Sequence, residues 1–183
     1  MPEYLRPPIT FAYRIGWRFH SEVLTLIWSQ VDLEAGTVRL EVNSTKNKGG
    51  RLIYVPQDLL AILVAQWQEH LAPYPACPFV FHRYGQQIRR IDTSWRRARR
   101  EANLQGKVPH DFRRTAVRNM VRAGIPERVA MMISGHKTRT IFDRYHIVSE
   151  GDLKQAAHKL DGTIRDATVT TLATISPLPQ PSL

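Results

Sequence analysis

The sequence predicts a mainly helical domain with a small antiparallel β-sheet, an α+β fold. Apolar residues recur at helical spacing over most of the chain, as in the stripe formed by Leu63, Val64 and Trp67. Residues 38–42 instead alternate apolar and polar side chains, and a glycine-containing turn follows them at residues 47–50. With 183 residues, the chain is long enough to enclose one sizeable core.

The predicted elements run from helices through a sheet to further helices. A helix over residues 5–17 and a shorter one over residues 22–28 come first, because their apolar residues share a face. Strands at residues 38–42 and 52–55 pair across the turn, and residues 31–33 are a candidate third strand. Further helical segments are predicted at residues 59–71, 93–102, 109–124, 126–133, 141–145 and 152–160.

The last part of the chain differs in composition from the rest. Residues 163–183 are rich in Thr, Ser and Pro and show no apolar periodicity. A segment of this kind cannot bury enough apolar surface to offset the entropy of ordering it, so we expect a disordered tail. One folded domain is therefore predicted over residues 1–162.

The chain is strongly basic, which indicates a polyanionic partner. Its 26 Lys and Arg residues against 16 Asp and Glu leave a net charge of +10 and a pI near 10.3. Arg96, Arg97, Arg99 and Arg100 follow one another closely on the helix predicted from residue 93. Unneutralised like charges repel, so contact with a phosphate backbone is favoured over a merely solvated charged face.

Cysteine content and hydropathy limit the class of protein further. The single Cys77 excludes an internal disulfide and fits a reducing compartment. The sequence has no Cys/His quartet and no acidic cluster around a histidine, so we expect neither a metal nor another cofactor. No apolar run approaches the length of a membrane span, and the N-terminal residues lack a signal pattern. A cytoplasmic protein without a membrane partner is the resulting expectation.

Residues 110–145 place two histidines, an arginine and a tyrosine in an order suited to phosphodiester chemistry. His110 and Arg113 lie three residues apart in a predicted helix, so their side chains share one face and can reach the same phosphate. His136 follows a glycine at a predicted helix end, and Tyr145 lies nine residues further on. We expect these four groups to converge on one pocket.

Attack by a tyrosine on phosphate needs help from neighbouring groups. The phenol has a reference pKa of about 10, so forming the phenolate at neutral pH costs about 4 kcal/mol. A neutral histidine can accept the proton, and arginines can hold the phosphate as its charge builds up. A departing deoxyribose oxygen is a poor leaving group until it is protonated, which calls for a general acid.

Seven motifs occur in one order between about residues 9 and 160. They are Gly16-Trp17-Arg18, Ser21-Glu22-Val23-Leu24, Trp28-Ser29-Gln30-Val31-Asp32, Thr45-Lys46, His110-Asp111-Phe112-Arg113-Arg114-Thr115, Gly135-His136 and Tyr145. This arrangement resembles the catalytic domain of the tyrosine recombinases, the phage integrase family. Each motif alone is weak, but their false-positive risks multiply when all occur in order.

The resemblance implies roles for the residues around the phosphate. Arg18 and Arg113 would hold the scissile phosphate, and Lys46 would protonate the leaving 5′ oxygen. Lys48 competes with Lys46, because both lie in a segment that also suits a solvated hairpin turn. Arg114 points about 100° away from Arg113 on a helix, so we expect it to contact the DNA backbone or solvent.

The resemblance also implies roles for the histidines and the tyrosine. His110 would assist proton transfer, His136 would support the phosphate, and Tyr145 would form a 3′-phosphotyrosyl link. Two of these residues have ordinary structural alternatives. Taken alone, Tyr145 could be a core aromatic residue, and His136 could favour the dipole at a helix C-terminus.

The spacing before Glu22 departs from the commoner family pattern. Phe19, His20 and Ser21 separate Arg18 from Glu22, whereas two residues are usual. In a continuous helix the extra residue would turn Arg18 by about 100°, unless a turn absorbs it. The nearest substitute, Arg14, lies further from Glu22.

The resemblance implies a site-specific recombinase that cuts and rejoins double-stranded DNA and self-associates on it. A type IB topoisomerase, which shares this chemistry but relaxes supercoils, is one alternative. A catalytically silent DNA-binding prophage remnant is another. Such recombinases usually carry a helical DNA-binding domain before the catalytic one, and only 17 residues precede Arg18. We therefore expect an N-terminally truncated catalytic domain.

Overall fold

The computed structural model describes residues 1–41, 50–145 and 148–166, with side chains described as far as residue 160. The chain divides into two compact units, Met1–Ile147 and Val148–Leu183. The first unit is mainly helical with a small antiparallel sheet, as the sequence predicts.

The chain opens with helix α1, Arg6–Ile15, preceded by a 3₁₀ turn at Glu3–Leu5. Helix α1 buries Phe11, Ala12 and Ile15 and ends at Gly16, whose φ of 77° lies in the left-handed region. That conformation suits glycine and terminates the helix before Trp17, so the helix is shorter than the predicted 5–17.

The predicted helix at residues 22–28 is wrong. Phe19–Val23 forms a turn of π-helix, in which the amide of Val23 bonds to the carbonyl of Arg18 at 3.1 Å. Ile27 is extended and pairs with Phe79. The apolar spacing of this segment fits several backbone paths, and burial against the sheet and α1 decides between them.

The sheet has the order β1-β2-β3 and is antiparallel throughout. Its strands are β1, Val31–Asp32, β2, Thr37–Leu40, and β3, Arg51–Tyr54. The candidate third strand is therefore confirmed as β1. Val38 pairs with Ile53 across β2 and β3, and both side chains are buried on the core face.

Helix α2, Gln57–Leu71, buries Leu59 and Leu63 in this core, whereas Val64 of the predicted stripe is exposed. A two-stranded hairpin that the sequence did not predict follows it. The hairpin pairs β4, His82–Arg83, with β5, Gln86–Gln87, through a turn with positive φ at Tyr84 and Gly85. Turns of this kind usually carry Asn-Gly or Asp-Gly, because both central residues have positive φ. Here tyrosine occupies the first of these positions, so the sequence did not indicate a hairpin.

Four helices complete the first unit: α3, Asp92–Glu101, α4, Asp111–Arg122, α5, Glu127–Ser134, and α6, Arg139–Asp143. Helix α4 lies against α1 and α5. A second, smaller core joins α4, α5 and α6 through Val117, Ala130 and Phe142. The first residues of α4 and the last residue of α5 therefore come close together.

The second unit is described by a single helix, α7, Glu150–Asp166. Ser149 and Asp152 cap its start, since the amide of each donates a hydrogen bond to the other's side chain. The helix extends to Asp166 rather than to residue 160, so residues 163–166 of the predicted tail are helical. Residues 167–183 lie outside the described part of the chain.

No helix in the described part of the chain combines the length and the apolar character that crossing a bilayer requires.

Candidate active site

Arg113 is the buried centre of the site, with 2% of its surface exposed. Its Nε donates to His136 Nε2 at 3.2 Å, and its Nη1 donates to the carbonyls of Gly16, at 2.7 Å, and Ser134. Within the described residues Nη2 has no protein acceptor, so two N–H bonds remain for a ligand. Three hydrogen bonds fix the orientation of the guanidinium, so its free Nη2 is preorganised to bind an anion.

The electrostatics around Arg113 also favour an anion. Burial, and then repulsion by Arg18, lowers the pKa of Arg113 to about 10. It therefore stays charged at neutral pH, but its charge is poorly solvated. A bound phosphate would supply the missing counter-charge.

His136 is held neutral beside Arg113. Ser134 Oγ donates to the Ala130 carbonyl at 2.6 Å, so it accepts from His136 Nδ1 at 2.8 Å. The other ring nitrogen then accepts from Arg113. Burial, followed by repulsion from Arg113 and Arg18, lowers the pKa of His136 to about 3. Both ring nitrogens face protein groups, so the contact of His136 in this structure is with the Arg113 guanidinium, whose orientation it fixes.

His110 and Tyr145 form a pair at the exposed edge of the site. Nε2 of His110 lies 2.7 Å from the hydroxyl of Tyr145. Partial desolvation of the ring, and then repulsion by Arg113 and Arg114, lowers the pKa of His110. A neutral imidazole at hydrogen-bond distance can accept the phenolic proton.

Tyr145 is half-buried and lies in a turn, two residues beyond the end of α6. The predicted helical segment at 141–145 is therefore wrong in its last part. The amide of Tyr145 bonds to the Phe142 carbonyl at 2.8 Å, and the buried Phe142 anchors this turn. The Arg113 guanidinium lies 6.0 Å from the centre of the Tyr145 ring. The turn thus presents the hydroxyl beside the buried cation.

Arg18 reaches the site from the π-helical turn. Its Nη1 donates to Glu22 Oε1 at 2.8 Å, and its amide donates to Oε2 at the same distance. A π turn accommodates one more residue than an α-helical turn, which explains how the extra residue before Glu22 is absorbed. Arg14, the alternative to Arg18, instead forms a salt bridge with Asp58 at 3.0 Å.

Glu22 is buried between two arginines. Arg51 Nη2 lies 2.6 Å from the Glu22 carboxylate that Arg18 also binds, and Glu22 is 1% exposed. Burial alone would raise the pKa of Glu22, but attraction and hydrogen bonding by Arg51, together with Arg18, lower it overall. With Arg113, three guanidinium groups face one carboxylate. The cluster therefore retains a net positive charge that suits a phosphate.

The predicted DNA-contact residues are divided between α3 and α4. Arg96 and Arg100 are exposed on α3, whereas Arg97 pairs with Glu101 at 2.7 Å. Arg99 donates to the Lys107 carbonyl at 3.3 Å, which links α3 to the approach to α4.

Arg114 pairs with Asp111 at 3.5 Å. It borders a groove of about 270 Å³ that also involves Tyr145 and the basic residues Lys107, Arg118 and Arg144. Lys46 and Lys48 lie outside the described residues.

Sequence reasoning missed two residues of this site. Arg51 was not singled out, although alternation along β3 places it on the same face as the buried Ile53. An inward-facing arginine on a strand is a detectable signal of a buried ion pair. Ser134 had no such signal, because its role depends on which carbonyls and rings meet at the end of α5.

A separate cluster of His70, Cys77 and His82 lies outside this site. The amide of Gly85 donates to His82 Nδ1 at 3.2 Å, which leaves the ring proton of neutral His82 on Nε2. That nitrogen faces His70 Nδ1 at 3.5 Å as a donor. In this arrangement the His82 nitrogen nearest His70 carries a proton, and the two rings are joined by a hydrogen bond.

The sequence matches a family model described as the phage integrase family over residues 2–151. The chain belongs to the phage integrase family. No curated protein sequence is similar enough to this chain to count as a match.

Solved structures of integrases and recombinases share the fold. XerA recombinase is 18% identical with a TM-score of 0.67, over 87% of this chain and 64% of that one. The Tn1549 transposon integrase in complex with a circular intermediate DNA is 17% identical with a TM-score of 0.67, covering 84% and 57%. A lambda integrase dimer bound to a COC′ core site is 22% identical with a TM-score of 0.58, covering 80% and 53%. The chain thus spans less than two thirds of each of these integrase and recombinase chains.

Proposed function

We propose that this chain is a site-specific recombinase that cleaves and rejoins double-stranded DNA through Tyr145. The observation that carries the proposal is the 2.7 Å contact between His110 Nε2 and the Tyr145 hydroxyl, beside the buried Arg113. A nucleophile, its base and a preorganised phosphate-binding group are thereby adjacent. Family membership supports the same assignment.

The proposed cleavage is a transesterification. The Tyr145 oxygen attacks the phosphorus while its proton passes to His110 Nε2, and the bond from phosphorus to the 5′ oxygen breaks. Lys46 supplies a proton to that oxygen, and the 3′ phosphate remains on the tyrosine. Arg18 and Arg113 bind the non-bridging oxygens as their charge increases. Attack by a 5′ hydroxyl reverses each step, so the strand is rejoined without an external energy source.

The proposed DNA contacts are sequence-independent. Arg96, Arg97, Arg99, Arg100 and Arg114 would bind backbone phosphates on either side of the nucleophile. The basic groove beside Tyr145 offers a path for the cleaved strand. The integrase structures similar in fold include DNA complexes and a dimer on DNA, which supports DNA binding and self-association as proposals here.

A trapping assay tests this function. The substrate is a duplex with a nick close to the cleavage position. Cleavage then releases a short fragment that carries the 5′ hydroxyl, and once this fragment diffuses away the strand cannot be rejoined and the covalent intermediate accumulates. We expect a protein–DNA band on a denaturing gel, with EDTA present, on a duplex selected from a random library. Binding without such a band would contradict the proposal and indicate a silent DNA-binding remnant. Relaxation of supercoils without site preference would also contradict it and indicate a topoisomerase.

A further inference from the structure

Arg51 connects three parts of the site, although it carries none of the proposed chemistry. It is the first residue of β3, and 10% of its side chain is exposed. Nη2 binds Glu22 at 2.6 Å, and Nη1 donates to the Ser134 carbonyl at 2.8 Å. The guanidinium also lies 5.0 Å from the centre of the Trp17 ring. A planar, doubly hydrogen-bonded cation in such a place is fixed in orientation as well as in charge.

The contact with Glu22 determines how Arg18 is held. Glu22 binds Arg18 through both its carboxylate oxygens and is buried, so it must stay ionised for the pair to persist. Arg51 provides the largest favourable interaction that keeps it ionised. Without Arg51, burial would favour the neutral acid, which binds a guanidinium far more weakly.

The contact with Ser134 secures the end of α5. The Ser134 carbonyl accepts from both Arg51 and Arg113, and Trp17 Nε1 donates to the neighbouring carbonyl of Ile133 at 2.8 Å. These are carbonyls that a helix leaves without partners at its C-terminus. Gly135 then allows close approach, since a Cβ there would lie 2.0 Å from Arg51 Nη1. The turn that carries His136 is therefore packed directly on Arg51.

We propose that Arg51 is a positioning residue, which holds Arg18 through Glu22 and holds Arg113 and His136 through the Ser134–Gly135 turn. The inference rests on the proposed function, since the groups it positions are those assigned to the scissile phosphate. Its effect is on the geometry of bound phosphate, so it acts on the rate of cleavage rather than on affinity for DNA.

The kinetic test compares single-turnover adduct formation in Arg51→Gln, Arg51→Lys and wild type. Misplacing a catalytic group by about 1 Å can cost about 10²-fold, and we expect a loss of that order in Arg51→Gln with little change in DNA affinity. Arg51→Lys keeps the charge but not the planar fork, so an intermediate rate is expected. Arg39→Gln is the matched control, because it removes an exposed arginine from the neighbouring strand.

The pH profile separates positioning from a general loss of stability. In Arg51→Gln, Glu22 takes up a proton at higher pH and releases Arg18, so the acid limb of the rate should move to higher pH. Arg51→Lys should leave that limb near its wild-type position. A folded Arg51→Lys variant with wild-type rate, or a folded Arg51→Gln variant with wild-type rate at every pH, would overturn the proposal. If Arg51→Gln does not fold, the Arg51→Lys rate alone decides.

A spectroscopic measurement distinguishes failure of this inference from failure of the proposed function. The carboxyl resonance of Glu22, assigned by its loss in Glu22→Gln, can be titrated in ¹³C-labelled protein without DNA. We expect its midpoint to rise in Arg51→Gln and to stay low in Arg39→Gln. If wild type forms no adduct but this shift occurs, the proposed function fails while the coupling stands. An unchanged midpoint refutes the role of Arg51 whatever the activity.

Discussion

The two histidines beside Arg113 have different hydrogen-bond partners and therefore different chemical capacities. His136 is enclosed, with Ser134 on one ring nitrogen and Arg113 on the other. His110 is exposed and faces Tyr145 through Nε2. Both have lowered pKa values, but of the two only His110 lies at hydrogen-bond distance from the Tyr145 hydroxyl, which the proposed mechanism deprotonates.

The lowered pKa of His110 predicts how cleavage depends on pH. In the proposed mechanism its neutral form accepts the phenolic proton, and that form persists below pH 6.5, the ordinary pKa of histidine, because desolvation and Arg113 oppose protonation. The rate of adduct formation should therefore stay level as the pH falls to about 6.5 and decline only below it. His110→Ala should be slower by about 10²- to 10⁴-fold. Its rate should also no longer decline below pH 6.5, because the group that titrates there is absent. A wild-type rate that already declines above pH 6.5 would contradict this assignment.

The lowered pKa of His136 predicts a pH dependence of stability. The unfolded chain binds a proton at this residue near pH 6.5, whereas the folded chain does so near pH 3. Between these values the unfolded state binds more protons, so the free energy of unfolding falls as the pH is lowered. His136→Gln should show a shallower fall in urea titrations over this window, while the contribution of the carboxylates stays common to both proteins. Equal slopes would show that His136 titrates normally.

Motif order placed His110, Arg113, His136 and Tyr145 in one pocket, and the structure brings these four together. Their roles remain predictions. Arg51 could not be assigned in the same way, because its contact with Ser134 spans 83 residues of sequence. A motif describes neighbours along the chain, whereas the partners of a buried ion are set by tertiary packing.

Among the secondary structure elements, short turns rather than long helices position the site. The π turn at Phe19–Val23 orients Arg18, the end of α5 orients His136, and the turn after α6 presents Tyr145. The longer helices could be predicted from the sequence, because each contains many apolar residues at helical spacing. It misassigned residues 22–28 and missed the β4–β5 hairpin, where few residues carry the signal.

Gly135 tests whether the end of α5 is matched to Arg51. Its φ is +76°, and an added Cβ would collide with the Arg51 guanidinium. Gly124 has a similar φ of +81° but nothing within 4 Å of the added Cβ. Both alanine variants should pay the left-handed cost of about 1–2 kcal/mol in chemical denaturation.

Only Gly135→Ala should also slow adduct formation, because it displaces Arg51 and with it the Ser134 carbonyl. The comparison requires both variants to be measured while folded, at a temperature well below their unfolding midpoints. Equal rates in the two variants would show that Arg51 can move aside without consequence for the site.

At the level of the whole molecule, the excess of positive charge lies both inside and outside the site. In the proposed function the buried arginines bind one phosphate, whereas the exposed residues of α3 and the groove beside Tyr145 follow the DNA backbone. The net charge of +10 indicated a polyanion from composition alone. Composition could not distinguish the buried arginines from the exposed ones, because burial depends on the fold.

The exposed arginines predict a salt dependence of binding. Each phosphate contact contributes about −0.9 to the slope of log affinity against log salt concentration. Arg96→Gln and Arg100→Gln should each reduce the slope by about that amount, uniformly across DNA sequences. Arg14→Gln is the control, since Asp58 already neutralises that charge. Duplex titrations at several salt concentrations measure the slope, and an effect of Arg14→Gln equal to the others would remove α3 from the proposed interface.

The central claim is that the Tyr145 oxygen forms a covalent bond to a 3′ phosphate. The most direct measurement is mass spectrometry of the nuclease- and protease-digested adduct from the trapping duplex. We predict one nucleotide-bearing peptide, modified at Tyr145 through a 3′ phosphate, and its absence from Tyr145→Phe, which keeps the ring packing and should still bind DNA. A nucleotide on any other residue, a 5′ linkage, or an adduct formed by Tyr145→Phe would contradict the claim.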